Sequence, residues 1–158
     1  MKIYQLHAVQ RIPISLQEAW NFFSDPANLK VITPTYMGFD ITMGGDRPMF
    51  AGQIIEYIVT PIAGIKTKWV TEITHVKVLE YFVDEQRFGP YDLWHHKHFF
   101  REIEGGVEME DIIDYKLPLG FIGQAVHPLL VRPKLEEIFD FRKKKLKELF
   151  GSFKKETV

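Results

Sequence analysis

Apolar and polar residues alternate over residues 3–12 and again, with short breaks, from Gly38 to Leu117; between and after these stretches the spacing turns helical. The first alternation predicts a strand that Pro13 ends. Ser15 and Glu18 form a capping box ahead of Ala19, Trp20, Phe22 and Phe23, which predicts a short helix over 15–23. Asp25-Pro26 supplies an N-cap and a first-turn proline for a second short helix that ends before Pro34. The long alternating region is punctuated by Gly44-Gly45, Pro48, Gly52, Pro61, Gly64, Gly89-Pro90 and Gly105-Gly106, so it divides into strands 38–43, 52–60, 65–76, 80–88, 93–103 and 107–117. The short gaps suit hairpins and therefore an antiparallel meander. After Leu117-Pro118-Leu119-Gly120 a helical opening spans 121–131, Pro133 kinks or restarts it, and Leu135, Ile138, Phe139, Arg142, Leu146, Leu149 and Phe150 fall on one stripe. Lys143, Lys144, Lys145 and Lys147 cover the other side as a solvated face, and 151–158 reads as a polar tail.

This order defines an α+β chain: a seven-stranded curved antiparallel sheet (β-α-α-β6-α) around a long C-terminal helix, as a single domain over 1–150. One face of such a sheet needs apolar cover, and the last helix is the element long enough to give it. A helix gripped by a concave sheet cannot touch it everywhere, so a hydrophobic cavity is expected between them.

The alternation also assigns faces. In Phe82–Phe100, Trp94, His96, His98 and Phe100 fall at every other position and share one face. If Gly105-Gly106 makes a two-residue turn, Glu104 faces Val107, His98 faces Ile113 and His96 faces Tyr115. If Phe88 faces Trp94, Gln86 faces His96 and Asp84 faces His98. Both registers put Asp84, Gln86, Trp94, His96, His98, Asp111 and Tyr115 on one face, while Glu85, Arg87, Lys97, Arg101, Glu108, Glu110, Asp114 and Lys116 take the other. The charged set marks solvent, so the histidine-bearing face is interior. Buried imidazoles and carboxylates need partners, and this set supplies its own.

Composition narrows the function classes. Charge is nearly balanced, at −1, which gives no electrostatic footprint for nucleic acid. With no cysteine there can be no disulfide, thiolate metal site or cysteine nucleophile. No apolar run approaches membrane-spanning length and the N-terminal residues show no apolar signal core, so no membrane insertion is expected and the location reads as cytoplasmic. Thirteen Phe residues suit both a core and an apolar cavity wall.

Pro13-Ile14-Ser15, Glu18-Ala19-Trp20 and Phe23-Ser24-Asp25-Pro26 with Leu29, set in this element order, resemble the START-like helix-grip (SRPBCC) superfamily, which includes plant pollen-allergen-type proteins and the polyketide cyclase/dehydrase-like group. Phe82–Gln86, Gly89-Pro90-Tyr91, Trp94-x-His96-x-His98-x-Phe100, Met109-x-Asp111, Tyr115 with Pro118, and Ile138-Phe139 with Arg142 look like a bacterial group of ligand-binding SRPBCC proteins. The resemblance implies a helix-grip fold with a small-molecule pocket.

The expected function is binding of a mostly apolar or amphipathic small molecule, lined by Trp69, Asp84, Gln86, Trp94, His96, His98, Asp111 and Tyr115, whose His/Asp/Gln group anchors the polar end. The alternative is a cyclase, hydratase or hydrolase that uses His98 or His96 with Asp84 or Asp111 as general acid and base. His-x-His plus a carboxylate can also supply three metal ligands, and a self-satisfied structural cluster is a further reading. No metal or cofactor is assigned, and the oligomeric state is open. Arg132 and Arg142 are each placed to pair with an inner carboxylate. Tyr57 is a candidate lining residue, Asp46, Arg47 and Met49 sit where a lid would be, and His127 borders the expected cavity mouth.

Overall fold

The structure, a computed structural model, describes residues 2–60 and 64–153. Its elements are β1 (Tyr4–Ile12), α1 (Leu16–Phe23), α2 (Pro26–Leu29), a 3-10 turn (Thr35–Met37), β2 (Phe39–Met43), β3 (Gln53–Val59), β4 (Thr67–Lys77), β5 (Tyr81–Phe88), β6 (Leu93–Ile103), β7 (Gly106–Lys116), α3 (Gly120–Val126), a π-helical segment (His127–Val131) and α4 (Arg132–Phe150). The turn expected at Pro61 and the end of the polar tail lie outside the described residues.

Each short helix starts where its side chains supply a cap. Ser15 Oγ accepts from the Glu18 N–H at 3.2 Å, and the Asp25 carboxylate accepts from the Ala27 N–H at 2.9 Å. Pro128 and Pro133 lack the N–H that an α-helix needs, so the C-terminal helix does not run evenly; it widens into the π segment before α4 settles.

The seven strands form one antiparallel sheet in the order β1-β7-β6-β5-β4-β3-β2. The meander runs from β2 to β7, and β1 closes against β7. Gly106 permits that closure, because a Cβ there would lie 2.2 Å from the Ile12 carbonyl oxygen. Along β7 every second residue is buried, from Val107 through Met109, Asp111 and Ile113 to Tyr115.

Two expected registers are corrected. Ile103 pairs with Gly106, so Glu104-Gly105 is the turn, and His98 faces Asp111 while His96 faces Ile113. The reason is that only Gly105, at φ +76°, takes the left-handed conformation there; Gly106 is a strand residue kept small by β1. On the other side Asp84 pairs with His96 and Phe82 with His98. Both ladders slide by two positions, which preserves the face of every side chain.

Helix α4 crosses the concave face with Leu135, Arg142 and Leu146 buried. Gln10 Nε2 donates to the Lys143 carbonyl at 3.1 Å and ties the helix to β1. Leu149, expected on the inward stripe, is instead 44 % exposed; Phe150 turns in and meets Phe22 edge-on at 5.0 Å. The main core lies at the end of the sheet under α1, where Trp20 packs on Phe82 and Phe100 beside Val107, Met109 and Leu146. No described helix is long and apolar enough to cross a membrane.

Candidate functional site

Beside that core, sheet and helix part around a cavity of about 180 Å³. Its walls are mostly apolar: Ile55 and Tyr57 from β3, Trp69 and Ile73 from β4, Leu29 and Ile32 near α2, and Leu135, Ile138 and Phe139 from α4. Trp69, Tyr91 and Trp94 make an aromatic corner. The two indoles meet edge-on at 5.2 Å, and the Tyr91 ring lies 5.7 and 4.8 Å from Trp69 and Trp94.

Asp25, Asn28, Thr33 and Lys134 also border the cavity, but the ionisable groups in mutual contact gather on one side. Asp84 from β5, His96 and His98 from β6, and Arg142 from α4 all line the cavity, and Asp111 of β7 stands behind them. The pleat explains the gathering: Asp84 and Asp111 are the cross-strand partners of His96 and His98 respectively. His98 Nε2 lies 2.8 Å from Asp84 Oδ2 and its Nδ1 lies 2.9 Å from Asp111 Oδ1. His96 Nε2 is 2.9 Å from Asp111 Oδ1, whereas its Nδ1 is 3.6 Å from Asp84 Oδ2, beyond hydrogen-bond reach. The two imidazole rings lie with centroids 3.7 Å apart and planes tilted by 36°, and Arg142 Nη1 approaches Asp111 Oδ1 at 3.5 Å.

These contacts set the charges. Burial and the neighbouring His98 push the pKa of His96 down to about 4, against the pull of Asp111 and Asp84, so His96 is neutral. Burial opposes charge on His98 too, but the two carboxylates flanking its ring outweigh it and hold its pKa above the ordinary value. Burial alone would raise both aspartates; hydrogen bonds from the histidines and the charges around them hold Asp84 below its usual range and Asp111 well below it. Two carboxylates thus face the Arg142 guanidinium and a His98 ring held toward its charged form. Arg142 Nε is buried without a hydrogen-bond partner among the described residues.

Of the residues expected at the site, Trp69, Asp84, Trp94, His96 and His98 line the cavity. Gln86 does not reach His96. Its amide donates to the Tyr91 carbonyl at 2.6 Å and accepts from the Tyr91 N–H at 3.2 Å, which folds the Gly89-Pro90 loop and seats Tyr91. Asp111 reaches the cavity only through the histidines it holds. Tyr115 points inward but bonds His127 Nε2 at 2.7 Å, and Tyr4 stacks on His127 at 3.6 Å, so these three make a separate cluster under the π segment. Of the lid candidates, Met49 lines the cavity, while Asp46 and Arg47 border a shallow surface depression elsewhere. Between the two arginines, Arg142 joins the site and Arg132 pairs with Glu136 on the surface. Tyr91 and Phe139 are lining residues that the alternation did not single out. Tyr91 sits in a loop, where face periodicity carries no signal.

No protein-family model matches the chain, and no curated protein is similar to it in sequence. Solved structures do resemble it. Protein CV1439 from Chromobacterium violaceum superposes with a TM-score of 0.69 at 13% identity, over 94% of this chain and 98% of that one. The major latex-like protein 151 of Panax ginseng gives 0.68 at 12% identity, over 94% and 97%. A point mutant of norcoclaurine synthase from Thalictrum, in complex with a transition-state analogue, gives 0.64 at 14% identity, over 94% and 96%. The chain therefore has the START-like helix-grip fold, with its curved seven-stranded sheet and long C-terminal helix.

Proposed function

We propose that this chain binds a small, mostly apolar molecule between the sheet and α4, and that Asp84, His98 and Arg142 hold the molecule's polar end. The observation that carries this reading is a mostly apolar cavity on whose sheet side Asp84, His96 and His98 gather against Arg142. Its volume of about 180 Å³ is nearer the ~150 Å³ apolar cavity known to admit benzene than the ~300–1,000 Å³ of drug-sized sites. A ligand of one ring or a short branched chain suits that space. Arg142 lines the cavity, and leaving a buried donor unmatched costs about 1–3 kcal/mol, so an acceptor oxygen that reaches its guanidinium would contribute to affinity. Because two carboxylates already face the Arg142 guanidinium and the His98 ring, a hydroxyl or carbonyl head fits better than a free carboxylate, which would enter uncompensated.

The test is a thermal-shift and calorimetric series of small aromatic and alicyclic alcohols and ketones beside their parent hydrocarbons. Oxygenated members should bind more tightly, and Arg142→Met should remove that advantage of about tenfold, or 1.4 kcal/mol, while sparing the hydrocarbons. Leu135→Trp, which fills the cavity, should abolish both. A series in which nothing binds, or binding that Leu135→Trp leaves untouched, would sink the proposal.

A further inference from the structure

We infer that Asp84, His96 and His98 form a binding site for one divalent first-row transition-metal ion on the polar side of the cavity. The inference uses the same wall as the proposed binding function but does not depend on the identity of its organic ligand.

Three donor atoms, one from each residue, lie within 4.8 Å of one another. The orientation of the rings adds the decisive point. His96 Nε2 and His98 Nδ1 both face Asp111 Oδ1 at 2.9 Å. The hydrogen bond from His96 Nε2 to Asp111 leaves Nδ1 as that ring's lone pair, the usual arrangement behind a metal-bound imidazole, and the carboxylate beside His98 Nδ1 favours a proton on that nitrogen once an ion takes Nε2. The proximal nitrogens, His96 Nδ1 and His98 Nε2, then both point at Asp84 Oδ2, at 3.6 and 2.8 Å. Between His98 and Asp84 a proton can sit. Between His96 and Asp84 nothing does: the Nδ1 lone pair faces the half-buried Asp84 Oδ2, whose hydrogen bond goes to His98 Nε2, with no donor between them among the described residues. Such a pair repels unless a cation joins it. One ion would answer both contacts, displacing the proton from His98 Nε2 and taking His96 Nδ1, His98 Nε2 and an Asp84 oxygen as ligands.

The remaining groups fit that assignment. Asp111 neutralises Arg142 and supports both rings. The ion would then meet the Asp84 carboxylate and two neutral imidazoles, the donor set of two-histidine-one-carboxylate sites, which leave positions open. Those positions would face the cavity, since Asp84, His96 and His98 line it and Asp111 does not. With nitrogen and oxygen donors and no thiolate, the site suits Zn²⁺, Fe²⁺, Co²⁺ or Ni²⁺ rather than Ca²⁺ or Mg²⁺.

The experiment uses the full chain without an affinity tag, stripped with chelator and titrated with Zn²⁺ and Co²⁺ by calorimetry and by Co²⁺ absorption. One ion per chain is expected, with proton release. Affinity should fall at least a hundredfold in His96→Gln and in Asp84→Asn, and about 10–100-fold in Asp111→Asn, which keeps the shape but loses the supporting charge. Circular dichroism of each variant confirms that it is folded. A stripped protein that takes up less than a tenth of an equivalent, or uptake unchanged in both His96→Gln and Asp84→Asn, overturns the inference. Repeating the hydrocarbon and alcohol titrations in chelator separates the two readings, because apolar binding should persist there even if the metal site does not exist.

Discussion

Replacing Asp111 by Asn is the most informative single perturbation of this fold. Asp111 is 6 % exposed, and its Oδ1 meets His96 Nε2 and His98 Nδ1 at 2.9 Å each and Arg142 Nη1 at 3.5 Å. Asparagine keeps the volume but leaves half-buried Asp84 as the one carboxylate of the cluster to offset His98 and Arg142. Removing one member of a buried ionic cluster typically costs about 3–5 kcal/mol, because the partners stay desolvated without compensation. Against a total stability of about 5–15 kcal/mol that is a large fraction. At about 2–4 °C per kcal/mol for a chain of this size, the midpoint should fall by about 6–20 °C. Urea denaturation of the chelator-treated protein measures the loss. Glu108→Gln is the control, since its partners Arg11 and Arg101 lie in solvent, and it should leave the midpoint where it was. The double variant Asp111→Asn/Arg142→Met adds the sharper test. Removing the guanidinium also removes the excess charge, so the double variant should lose clearly less than the two single losses combined. A loss below about 1 kcal/mol for Asp111→Asn, or strict additivity in the double variant, would refute the charge-balance argument.

Three further outcomes follow from contacts outside the His/Asp/Arg cluster. Tyr115→Phe removes the side-chain hydrogen bond of His127, and should cost about 1–3 kcal/mol in urea denaturation. Burial, with Arg132 and Lys2 adding, lowers the pKa of His127, so the folded state binds fewer protons there than the unfolded chain. Its contribution is intact above the unfolded value of about 6.5 and declines as pH falls below it, and His127→Phe should remove that part of the acid-side slope. Gln86→Ala frees the Gly89-Pro90 loop from both Tyr91 backbone bonds; it should weaken binding of aromatic probes, read by fluorescence, more than it lowers stability.

The faces of the strands were legible in the sequence because side-chain alternation survives any even slip of register. That is why Asp84, His96, His98 and Asp111 could be grouped before their partners were right. The partners themselves depended on two adjacent glycines that serve different ends. Gly105 turns the chain and Gly106 makes room for β1, a contact between residues far apart in sequence that local pattern cannot announce. Gln86 misled for a related reason: alternation gives a side chain's face but not its reach, and an amide can bend along the strand to staple its own loop. The role of Arg142 was half visible. Its helix position was clear, but only the crossing of α4 over the sheet distinguishes it from Arg132.

Strand order has a consequence for motion. β5, β6 and β7, which carry both histidines and both aspartates, lie inside the sheet with bonded neighbours on either side, whereas β2 stands at one edge. Their amides should therefore be among the slowest to exchange with solvent, and those of β2 and the short α2 among the fastest. The cavity then has one stiff side, where the chemistry is, and one yielding side formed near Leu29, Ile32 and Phe39. A guest would enter by parting the yielding side, and the polar wall would not need to rearrange to receive it.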